Sequence, residues 1–182
     1  MKKYFLILFL ILFSKNALAE IKDKIIQNLS NTDNFSFDFE QNINGKIENG
    51  NCKVKYPKKI YCNYDTSNQK ILVSNGKSLV IKTKTSFYLY PLEQTPLNLI
   101  LDKKYLLEKI NSLEEKVVED KFVRFTFIEN DNEINIFFNK KNNYLVGWQL
   151  LDIYQNLSIT FISILNVNQK LNKRIFFLPS QN

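Results

Sequence analysis

The 182-residue chain has two cysteines and no histidine. Both cysteines lie in "CKVKYPKKIYC", residues 52–62, on either side of one proline. Such a pair could hold a metal, cycle electrons or form a disulfide. Two thiols without a histidine make a poor zinc set, since a structural zinc site takes four nitrogen or sulfur ligands. The C-x-x-C spacing of a redox pair is absent. A disulfide between Cys52 and Cys62 remains, provided the compartment is oxidising and the backbone brings the two positions together.

The missing histidine also removes the Ser-His-Asp and Cys-His nucleophile systems. The four glycines form no phosphate-cradling loop. The carboxylates of "LEEKVVED" (113–120) and "DNE" (131–133) fall at strand edges and turns, where they read as solvated faces. A two-carboxylate glycosidase stays open at this stage, because separation in space is unreadable from sequence. The reading is of a binding protein, not an enzyme, with no cofactor and no metal.

The first nineteen residues bear on the compartment. Lys2 and Lys3 precede an apolar run from Tyr4 to Phe13, and the segment closes with Ala17-Leu18-Ala19. That pattern is a secretory signal peptide (1–19) cleaved between Ala19 and Glu20, with a signal anchor as the alternative. A run this short falls below the roughly 20 residues of a membrane span. Position 20 is not a cysteine, so the mature chain is read as soluble and not itself lipidated. Residues 20–182 then make a single domain of net charge near +4, with scattered lysines and two arginines, too mild a charge to argue for nucleic acid.

The period of the hydrophobic residues supplies the elements. Ile21, Ile25 and Leu29 share one helical face, closing by about Thr32. In "FSFDFEQ" Phe35, Phe37 and Phe39 alternate with polar residues, as in a half-buried strand. Asn44-Gly45 turns the chain into a strand reaching about Tyr56, and Pro57-Lys58 turns it again. If Cys52, Val54 and Tyr56 face inward together with Ile60, Cys62 and Tyr64, the cysteines stand opposite or one diagonal step apart, within disulfide reach. Asn75-Gly76 predicts a hairpin, and "FYLYPL" a further strand. Thr95 is placed as a cap with Pro96 opening a helix whose apolar stripe is Leu97, Ile100 and Leu101. Asp102 is placed as the cap of the next helix. Five strands then run to about Leu165, and "RIFFLP" is read as a last one.

This order fits a mainly β domain, one long antiparallel sheet curled towards a barrel. The large inward residues expected are Phe35, Phe37, Phe39, Phe125, Phe127, Phe138, Trp148 and Phe161. A filled core accounts for any one of them. As a set in so wide a barrel they allow an apolar cavity under the helices.

These segments carry a resemblance. "FSFDFEQ", Gly50 before "CKVKYP", "IYCNY", "ILVSNGKSLVI" and "TPLNLIL" follow the order seen in the LolA family of periplasmic lipoprotein carriers. Beyond residue 110 the likeness is one of pattern, ending in "FFLP". The resemblance implies an incomplete, half-closed barrel of about eleven strands with a helical lid. It implies a chaperone in the periplasm that takes the acyl chains of lipoproteins from an inner-membrane lipoprotein-releasing ABC transporter. It would pass them to an outer-membrane receptor. The acyl-chain cavity would then include Val54, Ile60, Leu97, Ile100 and Leu101 beside the aromatic set. The family pattern places an arginine lid latch just before Pro57; here that residue is Tyr56, which implies a differently latched lid. Cys52 and Cys62 occupy ordinary apolar positions of the family and would brace the hairpin. A monomer is expected. The alternatives are a same-fold envelope sensor or a carrier of a small apolar lipid.

Overall fold

The computed structural model describes residues 20–129 and 132–181. The segment read as a signal peptide, Ala19 included, therefore lies outside the described residues, as does Asp131. Helix α1 covers 20–30. It is followed by β1 (Asn34–Ile43), β2 (Lys46–Lys55), β3 (Lys59–Tyr64), β4 (Ile71–Asn75), β5 (Ser78–Lys82) and β6 (Phe87–Pro91). Two short helices, α2 (Leu97–Leu101) and α3 (Lys103–Ser112), separate these from the second half. That half comprises β7 (Lys116–Val118), β8 (Phe122–Glu129), β9 (Asn132–Asn139), β10 (Leu145–Leu151) and β11 (Leu157–Val167).

All eleven strands form one antiparallel sheet in the order β6-β5-β4-β3-β2-β1-β11-β10-β9-β8-β7. The sheet does not close on itself: β6 and β7 are edges. One edge ends at Pro91 and the other is only three residues long, two devices that keep unpaired edges from adding further strands. The barrel is incomplete, as the resemblance implies.

Strand β1 lies at the centre. Phe37 stands opposite Cys52 on β2 and Ile164 on β11, and Phe39 opposite Gly50 and Ile162. Phe35, Phe37, Phe39, Phe125, Phe127, Phe138 and Trp148 are all buried on the concave side, with Ile25 and Leu29 of α1 in the same core. Gly50 makes room for this row. A β-carbon there would lie 2.2 Å from the Asn63 carbonyl oxygen and 2.9 Å from the Phe39 ring. That ring instead meets Tyr64 edge-on, centroids 4.9 Å apart.

Three sequence expectations are corrected. Phe161 faces outward and is 50% exposed. Apolarity favoured it, but the partner of inward-facing Phe39 is Ile162, so Ser158, Thr160 and Ile162 take the inner positions. "RIFFLP" is not a strand: Lys173–Phe176 form a 3-10 turn capped by the Asn172 side chain. Both neighbours of β11 are already taken, by β1 and β10. The chain instead crosses to the far side of β3 and β4, where Lys82 donates to the Ser180 carbonyl. There it shelters Val73, which is almost wholly buried although it faces away from the concave side. Thr95 does not cap α2. Its hydroxyl donates to the Leu92 carbonyl at 2.8 Å, and α2 starts after Pro96 without a side-chain cap. Asp102 does cap α3, accepting from the Tyr105 N–H at 3.1 Å.

These orientations separate in urea unfolding. Phe37→Ala is expected to cost about 3–5 kcal/mol, the range for deleting a buried ring. Phe161→Ala, on the outer face, is expected to stay within about 0.5 kcal/mol. Gly50→Ala is expected to destabilise by about 1–3 kcal/mol, because the close neighbour is backbone and yields poorly.

Candidate functional site

The curled sheet leaves a cavity of about 200 Å³ on its concave side. Its walls come from many strands because inward positions recur every second residue. β1 contributes Phe37 and Phe39, β3 Ile60, β10 Trp148 and Leu150, and α2 roofs it with Leu97. Cys52 and Cys62 are part of the wall and are bonded to each other, with Cα atoms 4.1 Å apart and the two residues directly opposite in the β2–β3 register. The bond needs that register, since a one-residue slip would send the two side chains to opposite faces.

The sequence candidates divide between wall and core. Phe37, Phe39, Ile60, Leu97 and Trp148 line the cavity. Phe35, Val54, Ile100, Leu101, Phe125, Phe127 and Phe138 are buried but belong to the packed core around it. Tyr64, expected inward beside Ile60 and Cys62, also lines it, whereas other wall residues went unread: Leu72, Leu79, Ile81 and Leu150. For Leu72 a signal existed, since it stands opposite Cys62 and so shares its face. Gln41, Lys70, Ser158 and Thr160 also line the cavity, and polar side chains at inward positions give no periodicity signal.

The helices are tied down beside the β2–β3 turn. The Lys58 N–H donates to the Leu101 carbonyl at 2.9 Å, and Lys58 Nζ lies 3.1 Å from Asp102 Oδ2. Burial raises the Asp102 pKa, but the Tyr105 N–H and Lys58 outweigh it and hold the carboxyl below its ordinary value. Lys103 at the start of α3 donates to the Ser30 and Thr32 carbonyls, both at 3.0 Å, fastening α3 to the end of α1. Tyr56 is buried, its ring centroid 5.9 Å from that of Phe35 and 5.6 Å from Lys103 Nζ. Burial pushes its phenol pKa up. It meets the helices through its ring, and the polar tie falls to Lys58, two residues on.

A charged cluster borders the cavity. Glu48 faces inward and is 6% exposed, with Lys70 Nζ at 2.5 Å and Lys46 Nζ at 2.9 Å on its two oxygens. Lys70 also sits 4.0 Å from the Tyr64 ring centroid. Burial opposes ionisation of Glu48, but the two lysines prevail and its pKa is lowered from 4.5. Among the described residues no group of three or more histidine, cysteine or acidic side chains could hold a metal ion.

Two outcomes follow. Replacing both cysteines by alanine is expected to lower stability by about 2–3 kcal/mol in urea, the value for so short a closed loop. The depressed pKa of Glu48 means that its contribution to stability is present above 4.5 and is lost as pH falls through the folded-state value. Glu48→Gln should therefore flatten the loss of stability between about pH 5 and pH 3. An unchanged slope would place the acid sensitivity elsewhere.

Comparison with known proteins bears on this arrangement. The family model described as outer membrane lipoprotein carrier protein LolA matches residues 30–178. No curated protein sequence matches the chain. Among solved structures, a LolA superfamily protein of Nitrosomonas europaea is 9% identical, with 88% of this chain and 97% of that one covered and a TM-score of 0.47. LprF of Mycobacterium bovis is 12% identical, covering 87% and 95%, with a TM-score of 0.48. The lipoprotein LppX of Mycobacterium tuberculosis is 12% identical, covering 87% and 98%, with a TM-score of 0.45. Likenesses this distant carry no argument about ligand. The family match spans most of the chain and every strand of the sheet, and on that basis the protein belongs to the LolA family.

Proposed function

We propose that the protein is a periplasmic carrier that shelters the acyl chains of lipoproteins in the concave cavity. The observation that carries this reading is an apolar cavity walled by Phe37, Phe39, Trp148 and the disulfide, roofed by a short helix on a sheet left open at both edges. In that role it accepts lipoproteins from an inner-membrane ABC transporter and delivers them to an outer-membrane receptor. Family membership supports the role, and the disulfide suits an oxidising compartment. The cavity is lined for binding, and the proposed task needs no bond to be made or broken.

Size defines the state of the lid. At about 10–15 Å³ per water-sized group, the present 200 Å³ is room for roughly one long acyl chain. Taking three chains requires the roof to move. The ionic part of its hold is modest: the Lys58–Asp102 pair is about one-third exposed on each side, and such pairs contribute roughly 0–1 kcal/mol. On this reading the roof is closed here, and opening it breaks the Lys58 ties and uncovers Ile100 and Leu101. The same small volume is what favours the second reading, a carrier of one small apolar lipid.

A tripalmitoylated lipopeptide separates the two readings. The carrier is expected to keep it soluble as a one-to-one complex on gel filtration. Exclusion of the lipopeptide with retention of a single-chain fatty acid would favour the small-lipid reading. Lys58→Met, which frees the roof, is expected to speed lipopeptide uptake severalfold in stopped-flow fluorescence while lowering stability by no more than about 1 kcal/mol.

A further inference from the structure

One row of the concave face breaks the apolar pattern. Gln41 on β1 stands opposite Glu48 on β2 and Thr160 on β11, so a polar belt crosses three adjacent strands next to the Phe39 row. Ser158 follows on β11, opposite Leu150. Ser158 and Thr160 are 1% and 3% exposed, and both line the cavity with Gln41. Two hydroxyls in so apolar a wall cost free energy unless their hydrogen-bonding capacity is used.

Half of that capacity is used. Gln41 Nε2 donates to Ser158 Oγ at 2.9 Å and to Thr160 Oγ1 at 3.3 Å. Each hydroxyl oxygen therefore accepts, which leaves its own proton to be donated. No acceptor for either proton occurs among the hydrogen bonds of the described residues. The charged end of the belt differs: Glu48 is paired with both Lys46 and Lys70, which leaves one positive charge in excess. At its other end the belt offers a cavity ligand a pair of neutral O–H donors, which suit carbonyl oxygens.

We propose that Ser158 and Thr160 bind the ester carbonyls of a diacylglyceryl group. They fix the linkage of the ligand at the belt and direct its chains along Phe37, Phe39 and Trp148. The inference rests on the cavity being an acyl-chain site, and it adds an orientation and a chemical class. The ester could belong to the lipid anchor of a lipoprotein or to a glycerophospholipid, since both carry it.

Calorimetric titration with matched ligands tests this. The probes are a tripalmitoylated cysteinyl lipopeptide, its analogue with both glyceryl esters replaced by ethers, and dioctanoyl phosphatidylethanolamine. Methyl palmitate and hexadecyl methyl ether form a single-chain pair. The wild-type protein is expected to prefer esters over ethers by about tenfold. The Ser158→Ala/Thr160→Val double variant should lose that preference while binding the ethers as before, and Thr160→Ser, which keeps a hydroxyl, should retain it. A phospholipid weakened in parallel shows that the belt reads the ester whatever the headgroup, and supports the proposal. No ester preference in the wild type, or equal weakening of esters and ethers in the double variant, overturns it. A wild-type protein that rejects the lipopeptide yet prefers methyl palmitate to its ether overturns the lipoprotein-carrier reading and leaves the belt standing.

Discussion

The orientation of β1 decides everything the cavity is made of. It is the central strand, paired with β2 on one side and β11 on the other. Its inward residues Phe35, Phe37 and Phe39 set which residues of both neighbours face the cavity. A slip of one residue would exchange every inner side chain for an outer one. It would turn Asp38 and Glu40 inward. The disulfide locks the β2–β3 part of that register covalently, one strand away from β1. Gly50 adds a steric lock, since the space beside it admits the Phe39 ring but no further side chain.

Under the proposed function, energetics explain why the protein is built as a wall around a space rather than a filled barrel. Three acyl chains of about 15 methylenes each, at ~0.8 kcal/mol per methylene, would cost on the order of 35 kcal/mol to expose to water. A ligand with that penalty moves only from one apolar shelter to another. The shelter must be apolar over most of its surface, so that handover breaks few directional contacts. It must also be covered when empty, because a bare concave face of phenylalanines invites aggregation. A short helix held by one backbone hydrogen bond and an ion pair about one-third exposed meets both needs. Its closure excludes water, yet the hold is small against the free energy of sheltering even one chain.

Much of this was legible in the sequence, and the exceptions share a cause. The strands from Phe35 to Leu92 follow from alternation and turn residues, since each depends on its immediate neighbours. The Cys52–Cys62 pairing followed because a three-residue turn fixes the register of a hairpin. The Asp102 cap was equally local. Phe161 was misplaced because its face is set by a strand more than a hundred residues away, and apolarity on β11 points both ways. "RIFFLP" has the composition of a strand, but no free sheet edge lies where the chain arrives. The wall residues Ser158, Thr160 and Gln41 were invisible because binary patterning assigns polar residues to the outside. The tie at Lys58 was missed for a related reason: the resemblance drew attention to position 56, whereas here the polar contact comes from the turn itself.

The most direct measurement is native mass spectrometry of the protein secreted into the periplasm of a Gram-negative host and purified without detergent. The account predicts a fraction carrying one intact triacylated lipoprotein, in one-to-one stoichiometry, with the mass difference naming the cargo. A protein that is reproducibly empty, or that carries only single-chain lipids while lipoproteins are abundant in the same cells, would contradict it.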